Sequence, residues 1–334
     1  MATGVCRRVT APDPIRRGPA AIDRWQVFWF AEIRPHQFAL LRILFGLLGV
    51  MGLLGLTPVS TFWSPMGIVP LSGAAAELKT WLVAWDLGAA AGLIFFLTLF
   101  ACFVSMTAGY LTRTAVGACF FGSVLQAHWN PLPLSAANQV VIAVLFCLLW
   151  VDCGAVWSLD AWRRPLRTAP GSARIAGRLQ PIWPLHLIRI QIALIYLSSG
   201  LWKLTFSPVW RDGSALQFVL QQNVFTRFPV SFPTGFDWLL TVLTYFVLVW
   251  EIGFAVMLLH PWTRRLALIT GLVLHLGMWT SLEIGLFNCI MVASYAAFLE
   301  PEGVCKWFRK DICGSARDRD VTPADRLTSE LTSM

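Results

Sequence analysis

A chain of 334 residues that is 57% hydrophobic and only 13% charged is not an ordinary soluble domain, in which about a quarter of the residues carry charge. Its formal net charge of +8 does not point to a nucleic-acid partner. The basic residues cluster between long apolar stretches, and the bias of Lys and Arg towards cytoplasmic loops accounts for them.

Residues 1–24 are basic and contain Pro12, Pro14 and Pro19 without an apolar core. They read as a cytoplasmic N-terminal segment, not a cleavable leader, so the first apolar helix directs insertion. Segment 23–35 alternates aromatic and charged residues up to Pro35. It is either a helix lying in the membrane interface or the first turns of the helix that follows. Apolar runs then predict helices at 37–56, 87–108, 114–128, 137–152, 185–204, 236–259, 266–281 and 285–299. A crossing needs roughly 20 apolar residues, so the third, seventh and eighth are short and read as tilted or partly re-entrant. The fold class is all-α: a polytopic integral membrane bundle of about eight transmembrane helices with both termini cytoplasmic. In that topology 20 Lys and Arg face inward, and only Lys79, Arg211 and Arg227 face outward, which matches the positive-inside rule. The bundle occupies residues 25–300, and residues 301–334 form a cytoplasmic tail.

The outward segments 57–85 and 205–235 are rich in proline and aromatics. They either roof a cavity or rest at the headgroup level, where Trp is at home. The glycine sets Gly46/Gly49/Gly52 and Gly88/Gly92 suit close helix packing. Cys102, Cys119, Cys147 and Cys289 lie in apolar runs and read as small packing residues. No Cys-x-x-Cys pair, Walker, Rossmann, Gly-x-Ser-x-Gly or His-Glu-x-x-His pattern occurs, and no metal is expected.

Function is sought among polar residues inside the apolar helices, because each costs insertion energy there. Arg42 and Arg189 lie near the cytoplasmic ends of helices one and five, where snorkelling is open to both. Lys203 lies at the outer end of helix five, beside His128, Asp212 and Glu283 at the same level. Glu251 and His275 sit inside helices six and seven, and Tyr196, Trp129 and Trp210 are candidate walls. Desolvation favours a neutral amine at Lys203 and a nearby carboxylate favours the ammonium. Only the neutral form accepts a proton.

Several pieces of the chain resemble the HTTM family, the horizontally transferred transmembrane domain shared with the vitamin K-dependent gamma-carboxylase. They are Leu-Arg-Ile-Leu-Phe-Gly (41–46), Trp129-Asn130 and Trp-Ser-Leu-Asp (157–160). They continue with Gln191 through Gly213, where Gly-Leu-Trp-Lys-Leu leads into Trp-Arg-Asp-Gly, and end with His275 followed by Gly-Leu-Phe (285–287). The resemblance implies a base role for Lys203, the lysine that in the carboxylase deprotonates vitamin K hydroquinone. Where the carboxylase has a functional histidine after its Trp-Asn, this chain has Leu132 and Leu134, and His128 is the candidate in its place.

The candidate catalytic residues are therefore Lys203, His128 and His275. Arg42, Asn130, Tyr196, Trp210, Asp212, Glu251 and Glu283 line or support the site. The implied cofactor is a quinol of the vitamin K or menaquinol type. The carboxylase's large extra-membrane domain has no counterpart in these residues, and the compact SdpB-like branch of the family, linked to maturation of an exported peptide, is closer in length. Expected partners are membrane lipids, an exported peptide or small hydrophobic substrate and partner membrane proteins, in a bacterial cytoplasmic membrane. A non-catalytic accessory role in peptide maturation or export stands beside the enzymatic reading, and a small-molecule transporter is the third.

Overall fold

Apolar runs with few charges can bury their peptide groups in lipid only as helices, and helices dominate the chain. The computed structural model describes residues 20–58, 62, 88–129, 136–163, 179–222, 224–228 and 237–299. Asn130 and nearly all of segment 57–85 lie outside the described residues.

Segment 23–35 resolves into α1 (Ala20–Phe30) and a two-residue strand β1 (Glu32–Ile33). After Pro35 comes α2 (His36–Leu54), so α1 is a separate helix. It exposes Trp25, Val27 and Phe30 and stacks Phe28 on His186, ring centroids 4.2 Å apart. β1 pairs antiparallel with β2 (Gln180–Pro181), tying the start of α2 to the start of α7. The chain continues through α3 (Gly88–Ala108), α4 (Thr112–Trp129), α5 (Ala136–Leu148), the short α6 (Leu159–Arg163) and α7 (Trp183–Phe206). Segment 205–235, which reads as a loop, contains α8 (Pro208–Arg211) and α9 (Ala215–Leu220). Then follow α10 (Asp237–Met257), α11 (Pro261–Ser281) and α12 (Phe287–Ser294), the last prolonged by a 3₁₀ turn over Tyr295–Phe298. Pro184 and Pro261 stand in the first turns of α7 and α11, where a missing N–H costs nothing.

Among the described residues, α2, α3 from Ala90 onward, α7 and α10 are long and apolar enough to cross a membrane. α11 has 21 residues and turns Leu266, Ile269, Val273 and Leu276 outward. Their spacing of three and four residues makes one continuous helical stripe, an exposed apolar face suited to lipid.

α2 runs through the core, with Phe38, Leu41 and Phe45 fully buried. A Cβ on Gly46 would collide with Thr107, and one on Gly49 with Phe103, so these glycines set how closely α2 approaches α3. Gln37, also fully buried, donates its amide N–H groups to the carbonyls of Ala296 (3.0 Å), Ala297 (2.9 Å) and Leu299 (2.6 Å). Arg189 adds Nε to the Ala297 carbonyl at 2.7 Å. Together they satisfy carbonyls orphaned where the 3₁₀ turn after α12 ends.

Two segments of the family resemblance meet at the other polar junction. Arg42, on α2, is fully buried and donates Nη2 to the Trp157 carbonyl at 2.5 Å. Gly109, at φ +71°, lies where a Cβ would strike Arg42 and Ser158, a position only glycine fills without strain. Asp160 then caps α4: Oδ1 accepts from the Leu111 N–H (3.0 Å), and Oδ2 from the Thr112 N–H and hydroxyl (both 2.7 Å). Arg42 and Arg189, for which snorkelling was open, both turn into the protein instead.

Candidate functional site

On α7, Tyr196, Gly200 and Lys203 recur at four and three residues and so share one face. That face meets α10. A Cβ on Gly200 would press on Ile252 and come within 3.1 Å of the Glu251 Cβ, so glycine brings the two backbones together just where Glu251 must reach Lys203. The Lys203 ammonium donates to Glu251 Oε1 at 2.5 Å. The two side chains are 20% and 11% exposed.

Depth decides how this pair is read. Lys203 lies three residues before the end of α7, but its partner is fourteen residues into α10. At 1.5 Å per residue that is about 21 Å from the α10 start. α8 and α9 fold back along this length: Tyr245 donates its hydroxyl to the Arg211 carbonyl (2.9 Å), and the Leu216 N–H donates to Thr244 (3.3 Å). The end of α7 is therefore not the end of the bundle. Trp210, on α8, covers the amine with its ring centroid 4.4 Å from Nζ, a cation–π contact. The second carboxylate oxygen, Glu251 Oε2, is buried and has no hydrogen-bond partner among the described residues.

One turn and more below, a second polar cluster is fully enclosed. The Tyr196 hydroxyl lies 2.6 Å from His275 Nε2 and 2.6 Å from the Tyr295 hydroxyl. His275 Nδ1 lies 3.0 Å from Asn288 Oδ1. An amide oxygen only accepts, so Nδ1 carries the proton and Nε2 of the neutral ring accepts from Tyr196. Tyr196 in turn accepts from Tyr295, which orders three hydrogen bonds along one line. Trp250 joins the two clusters, standing edge-on to Tyr196 with centroids 4.9 Å apart, immediately before Glu251 in the chain. Gly271 is required here because a Cβ would collide with the Tyr295 hydroxyl and with Trp250.

The structure thus joins Lys203, Glu251 and Trp210 in one group, and Tyr196 with His275 in the next. The other candidates lie apart. Asp212 spends its charge on its own turn, where Oδ1 accepts from the Ser214 hydroxyl (2.6 Å) and N–H (2.9 Å). These bonds hold its carboxyl below the usual carboxylate range. Exposed Glu283 pairs with Arg227 at 3.8 Å. His128 is exposed, with Nδ1 2.8 Å from the Val124 carbonyl of its own helix, and Arg42 belongs to the junction with Trp157. Tyr295 and Asn288 were not singled out by the sequence, although their spacing of seven residues in an apolar helix puts them on one face. Among the described residues no three metal-ligating side chains converge.

Apolar helices with lipid-facing stripes, several able to span on their own, define a multi-pass membrane protein. The model of the family described as HTTM domain matches residues 30–303, most of the chain, and the protein belongs to that family. No solved structure matches it.

Proposed function

We propose that the protein is a membrane-embedded enzyme in which the Lys203–Glu251 pair takes a proton from the hydroxyl of a quinol of the vitamin K or menaquinol type. The reading assumes eight crossings with cytoplasmic termini, a bundle over residues 25–300, and a bacterial cytoplasmic membrane. The observation that carries it is the buried, unpartnered Oε2 of Glu251 next to a fixed ammonium. An orphaned acceptor of this kind fits a hydroxyl donor, and the indole of Trp210 offers an apolar face to a ring. Such a quinol supplies oxygen-driven base chemistry, as the resemblance to the carboxylase implies, for use on a small or peptide substrate.

The chain's own part is local. Lys203 Nζ is already engaged as a donor to Glu251 Oε1, so Glu251 Oε2, the oxygen with no donor among the described residues, is the atom that accepts the proton. The Lys203 charge stabilises the anion left behind, an effect that is strong where water is scarce. Tyr196, His275 and Asn288 stiffen the wall beneath through Trp250.

The same closed pair supports a second reading: it only clamps α7 to α10 in a non-catalytic accessory factor for peptide maturation of the SdpB-like kind. The test is consumption of a vitamin K-type hydroquinone under oxygen by the protein in lipid nanodiscs. Turnover above empty nanodiscs, falling about 100-fold in Glu251→Gln as for a lost general base, is the expected result. No turnover by the wild type, or full turnover in Glu251→Gln, removes the catalytic reading.

A further inference from the structure

A cavity of about 310 Å³ lies between α2, α3, α4, α5 and the start of α12. Gly52, Phe103, Ile290 and other apolar groups form most of its wall, and among the described residues no charged side chain lines it. It shares no lining residue with the Lys203 pair. Two features separate it from a packing fault. Ser123 and Gln126, on α4, are 8% and 9% exposed and both line the cavity. Neither makes a side-chain hydrogen bond among the described residues, and neither polar group is sealed off within the packing. Their amide and hydroxyl are open to a partner that enters the cavity, and one turn of α4 carries both residues to the same wall. The cavity also has a mouth: Met51 and Gly55, at the end of α2, and Gly285, before α12, line it and are exposed. Met51 stands on a surface suited to lipid.

We infer that this cavity binds an uncharged amphiphile, an apolar chain ended by a hydroxyl or amide that bonds Gln126 and Ser123. At roughly 30 Å³ per water-sized group, the enclosed part holds about ten non-hydrogen atoms, and a longer chain continues through the mouth into lipid. A charged head is disfavoured, since no counter-charge among the described residues lines the wall and a buried lone charge is costly. A purely apolar ligand leaves the amide unsatisfied. The inference is independent of the quinol reading, because its residues and its readout are different.

The probes are n-decanol, n-decane and decanoate, each titrated at equal mole fraction into the protein in nanodiscs, with the thermal unfolding midpoint as readout. Decanol raises the wild-type midpoint saturably, and decane and decanoate do not. Gln126→Leu with Ser123→Ala weakens the decanol response about tenfold, the worth of one or two net hydrogen bonds. Gly52→Leu abolishes it. A Cβ at Gly52 meets only Leu286 Cδ1, at 3.7 Å, so the new side chain enters the cavity without striking backbone. Ile290→Phe is the second filling variant should Gly52→Leu fail to fold. The inference is overturned if decanol and decane act alike, if the decanol response survives filling, or if the wild type shows none because the cavity holds only water.

Discussion

Replacing Lys203 by Met removes the ammonium and keeps most of the stem that packs between α7 and α10. Glu251, 11% exposed, is then left with one oxygen that has lost its partner and another that never had one. Breaking a fully buried pair costs about 3–5 kcal/mol, whereas an exposed pair is worth about 0–1 kcal/mol. With the lysine 20% exposed, the expected loss is about 2–4 kcal/mol, including the contact with Trp210. Adding Glu251→Leu removes the stranded carboxylate, and the double variant returns to within about 1 kcal/mol of wild type, as apolar replacements of buried pairs do. The midpoint of reversible SDS-induced unfolding in mixed micelles, measured over the four-member cycle, gives a coupling of about 2 kcal/mol. A single Lys203→Met variant as stable as wild type, or singles that simply add, would refute the claim that the pair is a buried, coupled unit.

Three further outcomes test the neighbouring structure. Tyr196→Phe leaves His275 Nε2 and the Tyr295 hydroxyl without their shared partner, and lowers stability by about 1–3 kcal/mol in the same unfolding assay. Gly271→Ala drives a methyl group into Tyr295 and Trp250; it costs about 1–3 kcal/mol as an overpacking change, whereas Gly277→Ala, with open space around it, is neutral or stabilising. Cys153, 2% exposed, has its thiol pushed up to about 12 by burial, which leaves on the order of 10⁻⁵ of it ionised at neutral pH. Maleimide at pH 7 therefore labels it only after denaturation, and rapid labelling of the folded protein would contradict its placement.

Much of the site was legible in part. Lys203, Glu251, His275 and Tyr196 stand out because a polar group in an apolar helix needs a reason to be there. Level alone groups His128, Asp212 and Glu283 with Lys203, a coordinate that says nothing about which way a helix face turns. Asp212 found Ser214 two residues away and Glu283 found Arg227, contacts that arise from turns and helix ends. Asn288 and Tyr295 do not stand out, because an uncharged polar residue in such a helix is a weak signal.

The amino-acid sequence by itself determined that this is a lipid-embedded helical protein, where its long helices run, and which side chains would be expensive to leave without partners. Only the tertiary structure decided the partners: Glu251 for Lys203 across 48 residues, Tyr295 for Tyr196 across 99, and the Trp157 carbonyl for Arg42 across 115. The physical reason lies in the solvent. In water a buried helix face differs from an exposed one in polarity, so a pattern reveals which side turns inward. In a membrane the lipid-facing and core-facing sides are both apolar, so rotation and neighbour are set by packing details, such as Gly200 against α10, that no single segment contains.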